Sequence, residues 1–141
     1  MTAVAALLLA VQSAGAPAPS GVLSIAISGL RSERGTVRLC MTRHRAYFPD
    51  CSRDPEALSR SVAASRDTVE FDRVPLGEYA IAVIHDENNN RKLDTLFGIP
   101  REGFGFSRNP KLSFGAPRFE NVVIRVGPGF SRTSVRVQYL L

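Results

Sequence analysis

An alternation with a period of two runs through most of the chain, and it limits what the chain can fold into. Leu23, Ile25 and Ile27 alternate with small or polar residues, and Val37, Leu39 and Met41 repeat the pattern in TVRLCMT. Side chains that point to opposite faces in turn give this spacing in a half-buried strand, whereas an amphipathic helix needs apolar residues every three or four positions. Val69 and Phe71 mark a further strand. In EYAIAVIH, Tyr79, Ile81, Val83 and His85 share one face and Ala80, Ala82 and Ile84 the other. Both faces read as buried, which predicts a central strand. FENVVIRV and FSRTSVRVQYL, joined by Gly127-Pro128-Gly129, read as a closing hairpin. In the last strand Thr133, Val135, Val137 and Tyr139 are predicted to point inward, and Ser134, Arg136 and Gln138 outward. Six or seven short strands with frequent Gly/Pro turns predict an all-β chain, an antiparallel β-sandwich of about seven strands.

With 141 residues, 44% hydrophobic and 22% charged, the chain has ordinary globular composition at single-domain length. The first 16 residues, MTAVAALLLAVQSAGA, carry no charged side chain, and Ala3 to Val11 is an apolar run followed by small residues. That run has the length of a signal-peptide core and is too short to span a bilayer. The expected organisation is a signal peptide at 1–16, a disordered joint at 17–20 and one domain at 21–141, exported to the periplasm or outside the cell and not membrane-spanning. The cysteines agree. Cys40 and Cys51 close the short loop CMTRHRAYFPDC, without the further ligands of a zinc site and without CxxC spacing. In an oxidising compartment a bridge over such a loop stabilises by about 3 kcal/mol on the loop-entropy model. Segment 43–58 reads as a loop held by the cysteines, and within it Asp54-Pro55-Glu56 reads as a helix start, with Asp as cap and Pro at the first position.

The net charge is +5, and 16 of the 18 cations are Arg. The densest group, Arg31, Arg34, Arg38, Arg43, His44 and Arg45, spans a turn, a strand and a loop. There is no polybasic run, no Trp and no aromatic–basic interleaving of the kind an RNA-binding sheet shows. The reading is a solvated basic surface and no nucleic-acid partner.

From Asp86 to Arg118 strand signals are sparse, which predicts one long ordered loop. It opens with His85-Asp86-Glu87-Asn88-Asn89-Asn90-Arg91-Lys92-Leu93-Asp94. Asp86, Asn88, Asn90 and Asp94 stand at relative positions one, three, five and nine of a calcium loop, with the Lys92 carbonyl as a further ligand. Arg91 occupies the position that wants Gly, and Phe97 the position of a bidentate Glu. Two readings stay open: a weak calcium site, and an ion-free Asx turn, which Asp and Asn form unaided. Downstream, Phe97, Phe104, Phe106, Phe114 and Phe119 are too many to leave in water. They fold the loop back as a second small core or, in part, form an exposed binding patch.

Gly77-Glu78-Tyr79-Ala80, His85-Asp86-Glu87-Asn88, Leu93-Asp94, Gly98-Ile99-Pro100, Glu102-Gly103-Phe104-Gly105-Phe106-Ser107 and Gly115-Ala116-Pro117-Arg118-Phe119 follow one another in a specific order. In this order the chain resembles the DUF2141 family of bacterial exported proteins of unknown function, from about Val22 to the end. Arg91 departs from the family's usual Gly. The resemblance implies a prealbumin-like or carboxypeptidase-regulatory-like sandwich, Ig-like in outline, at the cell envelope, with His85, Gly98, Pro100, Glu102, Gly103, Phe104, Gly105, Phe106 and Ser107 as its loop signature. It implies no activity.

His85, beside Asp86, Glu87, Asp94 and Glu102, is the sole candidate general base at a strand end. Its place on the face of Tyr79, Ile81 and Val83 favours a core-edge histidine bonded to loop backbone. Ser107 lacks the strand–turn–helix elbow of an activated serine. No catalytic constellation is complete. The leading expectation is a non-catalytic envelope domain that binds a protein or envelope component through 86–118. The alternatives are a metal-dependent or hydrolytic enzyme centred on His85, and a purely structural module.

Overall fold

The computed structural model describes residues 10, 15–91, 95–96, 99–111 and 115–141. Most of the expected signal peptide lies outside these residues, as do Lys92, Asp94, Phe97, Gly98 and Phe114. Gly15–Pro19 are exposed and without regular structure. Among the described residues there are ten strands: β1 (Ser20–Ser28), β2 (Thr36–Thr42), β3 (Leu58–Ala63), β4 (Thr68–Pro75), β5 (Gly77–Asp86), β6 (Thr95–Leu96), β7 (Ile99–Pro100), β8 (Gly103–Phe106), β9 (Ile124–Val126) and β10 (Gly129–Arg136). Eight of them form two sheets, ordered β10-β1-β4 and β3-β2-β5-β8, with β9 on the first residues of β5; β6 and β7 pair with each other.

The architecture is the all-β sandwich that the alternation predicts. Leu23, Ile25 and Ile27 from β1, Val69 and Phe71 from β4 and Val135 from β10 face Val37, Leu39 and Met41 from β2 and Tyr79, Ile81 and Val83 from β5. β5 lies between β2 and β8 and is buried on both faces, as a central strand should be. At one margin the sheets are stitched together: Phe104 and Gln138 exchange backbone hydrogen bonds of 3.0 and 2.9 Å.

Four expectations change. β9 and β10 do not form a hairpin. β9 pairs with β5, while β10 crosses to the other sheet and runs parallel to β1 from Gly21↔Gly129 to Ser28↔Arg136. The pairing satisfies the row of β1 backbone groups that β4 leaves free, so the sandwich is antiparallel except at this pair. Second, Asp54 starts no helix. Its buried carboxylate accepts from the Thr42 hydroxyl at 2.5 Å and from the Glu56 N–H at 2.9 Å. This Asx turn throws the chain into β3, a strand the periodicity did not announce. Third, the 86–118 segment is no plain loop, since β8 within it completes the second sheet. Fourth, the Arg31–Arg38 group is no merely solvated surface, because its guanidinium groups wrap the carboxylates at the end of β5.

Candidate functional site

The signature residues meet around β5 and β8. In β8, glycine and phenylalanine alternate, so the glycines face the sandwich core and the rings face outward. A Cβ on Gly103 would come within 2.5 Å of the Tyr139 ring and of Val137 Cγ1, and one on Gly105 within 2.6 Å of the Arg136 carbonyl oxygen. Only hydrogen on these α-carbons lets β8 lie against the end of β10. On the opposite face Phe104 and Phe106, with Phe48 and Phe119, cover Ala80, Ala82 and Val122. Phe48 meets Phe106 edge-on at 5.6 Å between centroids and Phe119 at 6.1 Å. The described phenylalanines of the segment therefore build a second core on the outer face of β5.

The Cys40–Cys51 disulfide, with Cα atoms 6.1 Å apart, carries Phe48 onto this cluster. An Arg45–Glu120 ion pair ties the same loop to the short 3-10 turn Phe119–Asn121. Ser107 is wholly buried. Its hydroxyl donates to the Val122 carbonyl at 2.5 Å and accepts from the Ile81 N–H at 3.0 Å, so it pins the segment to β5.

His85 is likewise fully buried. Nε2 lies 2.7 Å from the Arg34 carbonyl, which can only accept, so that nitrogen carries the hydrogen. Nδ1, 2.6 Å from the Tyr139 hydroxyl, is then the acceptor. The same hydroxyl accepts from the Arg31 N–H at 3.1 Å. Burial pushes the Tyr139 phenol above its ordinary pKa, which suits its service as a hydrogen donor. Both imidazole nitrogens are engaged in this arrangement, and the ring joins the β5 end to the turn after β1 and to the chain beyond β10.

The neighbouring carboxylates are held by arginines. Glu87 accepts from Arg31 Nε at 2.8 Å, from the Ser32 hydroxyl at 3.0 Å and from Arg34 Nη2 at 3.0 Å. Burial alone would raise its pKa. The hydrogen bonds from Arg31 and Ser32 and the Arg31 charge outweigh burial, so the carboxyl titrates below its usual value. Arg31 also stacks on Tyr139, 4.4 Å from the ring centroid, and donates to the carbonyls of Leu141 and Arg101. In sequence this arginine looks like one of many surface cations; its role shows once the strands bring Glu87, Tyr139 and Arg101 to it.

Asp86 faces the other side, fully buried. Its carboxylate accepts from the backbone N–H of Asn90 at 3.2 Å and of Arg91 at 2.8 Å. Arg91 takes a left-handed φ of 58°, at the position where a calcium loop wants Gly. Arg38, reaching across from β2, donates to the Arg91 carbonyl at 3.0 Å and brings its Nε within 4.0 Å of the Asp86 carboxylate. Asp86, Asn88 and Asn90 thus share one turn, with a guanidinium where an added cation would meet repulsion. The other expected ligands, Lys92 and Asp94, are outside the described residues. Among the described residues no three His, Cys, Asp or Glu side chains are grouped to hold a metal.

The strand that carries glycines inward and phenylalanines outward, with the serine that follows it, is the signature rendered as structure. The sequence model of a family described as an uncharacterized protein conserved in bacteria matches residues 25–134. The chain belongs to the DUF2141 family. No curated protein matches it, and no solved structure does. The DUF2141 match takes in β2 to β9, the last four residues of β1 and most of β10; Tyr139, the partner of His85, lies beyond it. Among the described residues of this DUF2141 chain, no helix is long and apolar enough to cross a membrane.

Proposed function

We propose that the chain is a non-catalytic, exported envelope module that holds an acidic partner on the outer surface of its 86–118 segment. The observation that carries this reading is how the segment sorts its charges. Among its described residues the carboxylates turn inward: Asp86 and Glu102 are buried, and the Glu87 side chain is 11% exposed. Arg91, Arg101, Arg108, Lys111 and Arg118 are all exposed. A rigid surface of one sign attracts the opposite sign, and arginine grips carboxylate and phosphate with paired donors. Export is supported by the disulfide in a bacterial family and by the apolar run at 3–11. The engagement of both His85 nitrogens favours this reading over a hydrolase centred there.

An immobilised acidic polysaccharide, such as heparin, tests the surface. At low salt the oxidised protein is expected to be retained, and the triple variant Arg101→Glu, Arg108→Glu, Lys111→Glu to pass through with its circular dichroism unchanged. Equal retention of both proteins sinks the proposal. As for calcium, we read the 86–91 turn as pinned by Arg38 in place of an ion. A Tm unchanged between calcium and EDTA supports that, whereas a rise that Asp86→Ala abolishes would establish the ion site.

A further inference from the structure

We propose that the outer face of the β10-β1-β4 sheet is a two-fold contact between copies of this chain. Along β1 the residues that point away from the core include the small Ser24, Ala26 and Ser28, with a half-buried Val22 ahead of them. β10 flanks them on one side with exposed Arg132 and Arg136, and β4 on the other with exposed Glu70 and Asp72, followed by an exposed Arg73 at the bulge. The face is therefore positive along the β10 margin, negative at Glu70 and Asp72 on the β4 margin, and lined by small residues between them.

Register makes the charges self-complementary. Ser24 stands opposite Arg132 on one side and opposite Glu70 on the other, so all three lie in one row across the sheet. A two-fold axis running along β1 in the plane of the contact exchanges the margins and leaves the rows in place. Arg132 of each copy then stands over Glu70 of its mate, and Ser24, Ala26 and Ser28 of the two β1 strands meet on the axis, where their small side chains let the sheets approach. The contact also covers Phe130, which is 56% exposed and the most exposed of the large apolar side chains described. Sheets packed with their strands nearly aligned are an ordinary arrangement.

With strands about 4.8 Å apart rising about 3.3 Å per residue, the face measures about 400 Å² in plan. Pairing two such faces removes roughly 1,000 Å² from water, the lower bound for a specific interface. The dimer is accordingly weak and salt-sensitive.

Sedimentation velocity of the oxidised chain across roughly 5–200 µM is the test, with a dissociation constant in the tens of micromolar expected at low salt and weakening at least about tenfold by 0.5 M salt. Arg132→Glu and Glu70→Arg should each abolish the dimer, and the double variant should restore it. Ala26→Cys, with its sulfur on the axis, should cross-link two copies on oxidation. A monomer throughout, or a dimer indifferent to either reversal, overturns the proposal. So does a double variant that folds yet fails to regain the dimer.

Discussion

Replacing Gly105 by alanine tests the packing that makes sense of the glycine–phenylalanine alternation. The added methyl would sit 2.6 Å from the Arg136 carbonyl oxygen and 2.8 Å from Val135 Cγ1. The carbonyl is part of β10, whose neighbouring backbone is held to β8 by the Phe104–Gln138 pair, so relief has to come from the strands moving apart. Overfilling a well-packed interior costs about 1–3 kcal/mol. Lengthening the two stitching hydrogen bonds adds about 1 kcal/mol, for a total of about 3 kcal/mol. For a domain of this size that is a fall in Tm of about 10 °C. Gly127→Ala is the control: nothing lies within 4 Å of its added Cβ, and its φ is not left-handed. It should change stability by no more than about 0.5 kcal/mol. Urea denaturation followed by circular dichroism gives both values. If Gly105→Ala unfolds at the same urea concentration as Gly127→Ala, β8 does not depend on the close approach and the reasoning fails.

Other perturbations read other parts of the arrangement. Cys40→Ser with Cys51→Ser should lower stability by about 3 kcal/mol, with the Phe48 contacts loosened, as measured by unfolding of both proteins without reductant. Tyr139→Phe removes the hydroxyl that serves His85 and leaves Nδ1 buried without its donor; the expected loss is about 1–3 kcal/mol, and a variant as stable as the parent would contradict the tautomer assigned above. Glu87 and Asp54 both titrate below their usual range; for Asp54 burial pushes upward, but the Thr42 and Glu56 hydrogen bonds prevail. Groups depressed on folding stabilise the folded chain above their unfolded pKa and lose that contribution as pH falls through the folded one. Stability should therefore hold down to about pH 4–5 and decline below it, less steeply in Glu87→Gln, in pH-dependent thermal melts.

Where apolar side chains face the main core, the sequence is a faithful guide. β1, β2 and β5 bury the residues their alternation marks, and Val135 and Val137 point inward as expected. β3 escapes notice because it is an edge strand in which only Leu58 and Val62 are half-buried, so its alternation is faint. β8 escapes for a different reason. Its core-facing residues are glycines and its apolar ones face a second cluster, so the usual sign of burial is inverted. The parallel partner of β1 is equally hidden, since local pattern says that a strand has an inward face but not whose edge it joins.

The same distinction explains what was legible around His85. Its membership of the inward face of β5 follows from parity alone, and the structure buries it there. Its partners do not follow, because Arg34 and Tyr139 are 51 and 54 residues away and reach it only when the two sheets close. Arginine compounds the difficulty. A long cation reads as surface in any one-dimensional pattern, yet its stem can lie along the protein while its fork satisfies a carboxylate the strands have carried inward. Arg31 and Arg38 do this for Glu87 and Asp86, and among the described residues of the segment they brace the other cations are exposed. Among the described residues of 86–118 the exposed cations thus go with the burial of Asp86, Glu87 and Glu102, and substitutions that disturb Arg31 or Arg38 should alter the fold of the segment before they alter its charge.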